Sequence, residues 1–195
     1  MVSSAARDEA GELPLDVKIR PLTAHADSRG SLTEIYREAW DLGCRPVQLN
    51  AMASVADSLR GVHVHVTHAD HLTLVGGRML LGLHDLRGWS PTAGLSRSIE
   101  LDAKQPCAVV IPVGVAHGFY FSEASVLVYG VSHYWNRADE LGCRWDDPAL
   151  GLRWPTTAPL LSERDRLAPD YATLRGQFED AWRLARAGQK GASAA

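Results

Sequence analysis

The chain of 195 residues is 46% hydrophobic and 22% charged. These ordinary globular proportions supply a sizeable core and exclude a disordered or fibrous protein. Twenty Lys and Arg stand against 23 Asp and Glu, a formal charge of −3; nothing here suits a nucleic acid or an anionic membrane surface as partner. The longest apolar runs, such as Cys107–Val113, are too short to span a bilayer, and the first fifteen residues lack the charged and apolar regions of a secretory signal. Three cysteines without CxxC spacing argue against a disulfide framework or a cysteine zinc site and suit a reducing compartment. The expectation is a cytoplasmic protein with one domain over residues 15–188, flanked by flexible tails at 1–14 and 189–195.

Taken in chain order, short segments rich in Val, Ile, Leu and aromatics alternate with Gly, Pro, Asp and Asn. Strands are expected at Val17–Leu22, Leu32–Arg37, Pro46–Met52, Gly61–Val66, Leu72–Val75, Arg78–His84, Arg97–Leu101, Ala108–Ile111, His117–Phe121 and Ser125–Val131. Gly76 and Gly77 read as a hairpin turn, because paired glycines reach positive φ without steric cost. From Tyr171 the pattern becomes helical, with Tyr171, Leu174, Phe178, Ala181, Trp182 and Ala185 on one stripe. The sum is an all-β sandwich or jelly roll with a C-terminal helix as cover.

The segment from Gly61 to Val66 reads Gly-Val-His-Val-His-Val. Alternation puts His63 and His65 on one face of a strand and the valines on the other, as for the wall of a polar cavity. His68 and His71 follow in a turn-like stretch and are expected to be exposed. A second element, Pro112-x-Gly114-x-x-His117, delivers a third histidine. His63-x-His65, Asp70 and Gly77 followed by this element resemble the two motifs of the cupin superfamily, which implies a double-stranded β-helix around a ligand-sized cavity.

A narrower resemblance runs from about Asp27 to Pro169. It includes Asp27-Ser-Arg-Gly30 with Glu34, Gln48-Leu-Asn50, Leu59-Arg-Gly-Val-His63, Asp85-Leu-Arg87 with Ser90-Pro-Thr92, and Ile111 to Phe119. It closes on Trp145-Asp-Asp-Pro through Trp154-Pro155, and on Leu161-Ser-Glu-Arg-Asp165. On these motifs the chain resembles the dTDP-4-dehydrorhamnose 3,5-epimerases, cupins that act on nucleotide-linked 4-keto-6-deoxy sugars. The resemblance implies an isomerase of deoxysugar biosynthesis, with a nucleotide-sugar substrate, no cofactor and a homodimeric state. It implies His63 as base, Asp165 as its carboxylate partner and Tyr129 as the acid on the opposite face. Arg60 and His117 match the sugar and phosphate end. Gln48, Asn50, Arg29 and Glu34 match positions around the nucleotide, some of them supplied by the partner subunit. Arg60 has the wrong parity to share a face with His63 in an unbroken strand, so a bend near Gly61 is required.

Three positions depart from the family pattern. Val64 and His65 stand where a tyrosine and a glutamine are usual, Asp70 or His71 stands where a lysine usually supports the enolate oxygen, and Met52 replaces a serine. His65 is thereby a candidate substrate contact. The same change opens a rival, since His63, His65, Asp70 and His117 form the ligand set of metal-dependent cupins. A non-catalytic sugar-nucleotide-binding homologue is the third reading.

Overall fold

The computed structural model describes residues 12–192. The expected N-terminal tail falls mostly at 1–11, and the last residues of the expected C-terminal tail at 193–195; both stretches lie outside the described residues. Leu13 already packs on the core, and Arg97 Nε donates to the Glu12 carbonyl, so the ordered chain starts before residue 15.

Two five-stranded antiparallel sheets form the body. The first runs β1 (Lys18–Pro21), β9 (Cys107–Ile111), β6 (Asp70–Gly76), β11 (Ser125–Val131), β4 (Gln48–Ser54); the second runs β12 (Leu141–Gly142), β5 (Ser58–Val64), β10 (Val115–Phe121), β7 (Arg78–Asp85), β8 (Ser96–Asp102). A separate hairpin pairs β2 (Ala24–Asp27) with β3 (Gly30–Thr33). From β4 to β11 every connection except β7 to β8 carries the chain from one sheet to the other, which is the winding of a double-stranded β-helix. The all-β jelly roll read from the sequence is the fold found.

Local departures have physical causes. Gly76 and Gly77 do not close a hairpin, because β6 and β7 lie in different sheets. The left-handed Gly77 (φ 81°) passes the chain across, and a Cβ there would lie 2.2 Å from Ser125 Oγ. The strand expected at Gly61–Val66 ends at Val64, since the N–H groups of Val66 and Thr67 donate to the Asp139 carboxylate instead of a ladder. The strand expected at Leu32–Arg37 lies earlier, at Gly30–Thr33, because Asp27 accepts the Arg29 N–H and closes a tight turn.

The inner faces of the sheets enclose one core, with Leu72, Leu74, Leu81, Leu83, Val109, Ile111, Phe121 and Leu127 almost wholly buried. A second core covers the outer face of the second sheet. There Val62, Val64 and Ala116 meet Leu174 and Phe178 of the C-terminal helix, which runs Tyr171–Ala192, beyond the boundary expected at 188. Trp154 lies over Gly82 and Gly118, which face each other across β7 and β10; a Cβ on Gly82 would stand 2.7 Å from the indole. The indole N–H donates to the Trp145 carbonyl, which gives the Trp-to-Trp-Pro stretch its physical reason. Phe178 is completely buried, so Phe178→Ala is expected to cost about 3–5 kcal/mol through lost transfer energy and a residual cavity. Denaturant unfolding checks this as a lowered midpoint at unchanged slope.

Candidate active site

The site begins with an irregularity in β5. His63 pairs with His117 on β10, but Arg60 pairs with Phe119, so two residues of β5, Gly61 and Val62, oppose the single Gly118. This bulge puts Arg60 and His63 on the same inner face and supplies the bend that the sequence required. Gly61 has φ 118° and lies against β10; a Cβ there would meet Gly118 Cα at 2.8 Å. Arg60 crosses to the first sheet, donating from Nε to Ser54 Oγ (3.1 Å) and from Nη2 to the Ala53 carbonyl.

His63 Nε2 lies 2.6 Å from Asp165 Oδ1. Asp165 is buried on α1 (Glu163–Arg166), a single turn whose N-cap is Ser162. The serine hydroxyl accepts the Asp165 N–H and donates to Asp165 Oδ2. Burial by itself would push this carboxyl up, but hydrogen bonds from His63, Ser162 and the Gly61 backbone outweigh it and hold Asp165 below the usual range. With Nε2–H donated to the carboxylate, the neutral form of the ring carries its lone pair on Nδ1. Gly142 of β12 makes room for the ring, since a Cβ there would lie 3.0 Å from His63 Cδ2.

Tyr129 stands on the inner face of the opposite sheet, paired with Leu72 on one side and Asn50 on the other. Burial raises its phenol pKa; the Asp70 and Glu140 charges add to this and Arg60 opposes it. Beside it, Gln48 Nε2 donates to Asn50 Oδ1 (3.0 Å) and Gln48 Oε1 accepts the Trp135 N–H.

Deeper in the barrel His65, His117 and Asp70 are all buried. Their nearest atoms stop short of hydrogen-bond distance: Asp70 Oδ2 is 3.8 Å from His65 Nε2 and 3.7 Å from His117 Nε2. Burial drives the His117 pKa down to about 3, with His65 adding to the effect, and lowers His65 in the same way, with His68 adding. Burial pushes Asp70 up to about 7. His68 and His71, expected to be exposed, are also buried. His68 is held by Asp139 (3.0 Å), and His71 is held at the Ile35 carbonyl. Both find partners in loops that the local pattern does not reveal.

His63, Asp165, Tyr129, Arg60, His65, His117, Gln48 and Asn50 therefore share one end of the barrel interior and its rim. Arg29 and Glu34 do not join them. Arg29 sits on the exposed β2–β3 hairpin, paired with Asp27, and Glu34 faces Arg37 at 3.5 Å. Sequence reasoning missed Ser162, Gly142, Asp139 and Glu140. Only Ser162 carried a readable signal, the Ser-x-x-acid pattern of a helix start. A cavity of about 740 Å³ beside β7 and β8, lined by Arg78, Glu100, Gln105 and Tyr120, contains none of the candidate residues.

Fold and site define a cupin-type jelly roll whose interior carries acid–base side chains. The chain belongs to the dTDP-4-dehydrorhamnose 3,5-epimerase family, whose model matches residues 13–173. The protein of that name from Sinorhizobium fredii is 32% identical over 84% of this chain and 89% of its own length. The one from Neisseria gonorrhoeae is 34% identical over 80% of this chain, which spans only 50% of that relative. Among solved structures, ChmJ, a 3'-monoepimerase from Streptomyces bikiniensis in complex with dTDP-quinovose, superposes with a TM-score of 0.78. It is 29% identical, over 90% of this chain and 96% of ChmJ. Among the described residues no helix is long and apolar enough to cross a membrane.

An acid whose pKa is lowered in the folded state adds stability above its unfolded pKa, about 3.9 for Asp, and loses it as pH falls through the folded value. Thermal unfolding should therefore find wild type more stable than Asp165→Asn from about pH 5 upward, with the gap narrowing as the medium is acidified below about pH 4.

Proposed function

We propose that this protein inverts C3, C5 or both of a nucleoside-diphospho-4-keto-6-deoxy sugar, of the dTDP-4-dehydro-6-deoxyglucose type, through enolate intermediates. The observation that carries this reading is the 2.6 Å contact of His63 with Asp165, on the inner face of the sheet opposite Tyr129. A proton on carbon next to a ketone is removed by a base on one side of the ring, and inversion follows when an acid returns a proton from the other. His63 Nδ1 is the base. Asp165 fixes the tautomer through Nε2–H and stabilises the imidazolium that forms. Tyr129 is the opposite-face acid, its high pKa keeping the proton in place until the enolate develops. Arg60, at the rim, faces the diphosphate, while His117, His65, Gln48 and Asn50 line the sugar and nucleotide end.

Arg29 and Glu34, carried on an exposed hairpin outside their own chain's chamber, serve the nucleotide of a second copy in a homodimer. Exposed Leu32 on that hairpin and exposed Val47 and Leu49 at the β4 edge support such an assembly. A cytoplasmic setting agrees with three free cysteines, two of them buried.

Incubation with dTDP-4-keto-6-deoxyglucose in D₂O, followed by NMR, should place deuterium at C3, C5 or both. Exchange at one carbon defines a monoepimerase, and absence of exchange with folded protein overturns the reading. His63→Ala should slow exchange by about 10²–10⁴-fold, the usual contribution of a positioned base. Tyr129→Phe should keep wash-in but fail to complete inversion.

A further inference from the structure

We propose that His65, Asp70 and His117 bind one divalent transition-metal ion inside the barrel through the two Nε2 atoms and the Asp70 carboxylate. Both imidazoles are committed at their other nitrogen to a backbone carbonyl. His65 Nδ1 lies 3.1 Å from the Asp139 oxygen and His117 Nδ1 lies 3.1 Å from the Val115 oxygen. A carbonyl only accepts, so each Nδ1 carries the proton and each Nε2 presents a lone pair. Those lone pairs converge on Asp70, which among the described residues receives no hydrogen bond, and one ligand atom from each of the three residues lies within 4.8 Å of the others. Two imidazole nitrogens and a carboxylate from buried residues, none of them held by a hydrogen bond within the described residues, are an arrangement that a cation completes.

The spacing fits. Metal bonds of about 2.0–2.2 Å at near-tetrahedral angles set ligand atoms about 3.3–3.6 Å apart. The two distances to Asp70, 3.7 and 3.8 Å, need only a few tenths of an ångström of closure, and the two imidazole nitrogens lie within 4.8 Å of each other. Imidazoles steadied from behind by carbonyl acceptors are the usual surroundings of a metal site. Two nitrogens and one oxygen favour zinc, cobalt, nickel or ferrous iron over magnesium or calcium, and three protein ligands leave a position for water or a substrate oxygen.

His63 is not a ligand, because neither of its ring nitrogens lies within the cluster of ligand atoms; its Nε2 is held by Asp165. This separates the site from the four-ligand set read from the sequence. A neighbouring group, His65 with His68 and Asp139, is already satisfied, since the Asp139 oxygens accept from Val66, Thr67 and His68.

The test reads binding and does not depend on turnover. Full-length protein stripped with EDTA is titrated with Co²⁺ and followed by its visible d–d absorption, then competed with Zn²⁺. The expected result is saturation at one equivalent per chain. His65→Gln and Asp70→Asn should each weaken binding by roughly 100-fold or more, beyond the about 10–100-fold loss typical of a partner behind a ligand. His63→Ala should bind Co²⁺ as wild type does. X-ray absorption of the Zn²⁺-loaded wild type should show two imidazoles, and needs no variant to fold. No saturable binding, an equal loss in His63→Ala, or a third imidazole at the metal would each overturn the proposal.

Discussion

The hydrogen bond between His63 Nε2 and Asp165 Oδ1 joins strand β5 to a helical turn 102 residues later, and much of the chain's late structure exists to make it. After β11 the chain leaves the jelly roll, lays β12 along β5, and returns through a capped turn that presents a buried carboxylate. Gly142 clears the space for the imidazole, Ser162 orients the acid, and the bulge at Gly61 and Val62 turns His63 inward beside Arg60. Remove the carboxylate and neither the tautomer nor the orientation of the ring is fixed.

Polarity along the strands decides where this chemistry sits. On the inner faces, β10 runs from His117 to Phe119 and Phe121, and β6 from Asp70 to Leu72 and Leu74. One end of the barrel is therefore apolar core and the other a polar chamber. Stability comes from the apolar end and from the second core under the C-terminal helix. The chamber can then hold groups that are unfavourable to bury, including a carboxyl raised to about 7 and an imidazole lowered to about 3. Asp139 contributes twice, gathering the β5–β6 loop with its carboxylate and orienting His65 with its carbonyl.

The features legible in the sequence were those written in local periodicity. Alternation placed Val62 and Val64 outward and His63 inward, and the 3.6-residue stripe marked Leu174 and Phe178 as the buried face of the last helix. What could not be read depended on partners distant in sequence. Nothing near Gly76 and Gly77 says that β6 and β7 belong to different sheets, nor near His68 that Asp139 will bury it. The parity of Arg60 signalled a bend, but the bulge that resolves it needs β10 as a reference. Arg29 and Glu34 stand apart because their hairpin folds outward from the chamber of their own chain.

The proposed chemistry requires that Asp165 hold His63 through a proton on Nε2, which leaves the lone pair on Nδ1. Nitrogen-15 NMR of imidazole-labelled protein, with His63 assigned by comparison with a His63→Gln variant, measures this directly. The expected result is that His63 in its neutral form has a protonated Nε2 and a bare Nδ1, a pattern that shifts when Asp165 becomes Asn. A neutral His63 protonated at Nδ1, or signals indifferent to the loss of the Asp165 charge, would contradict it.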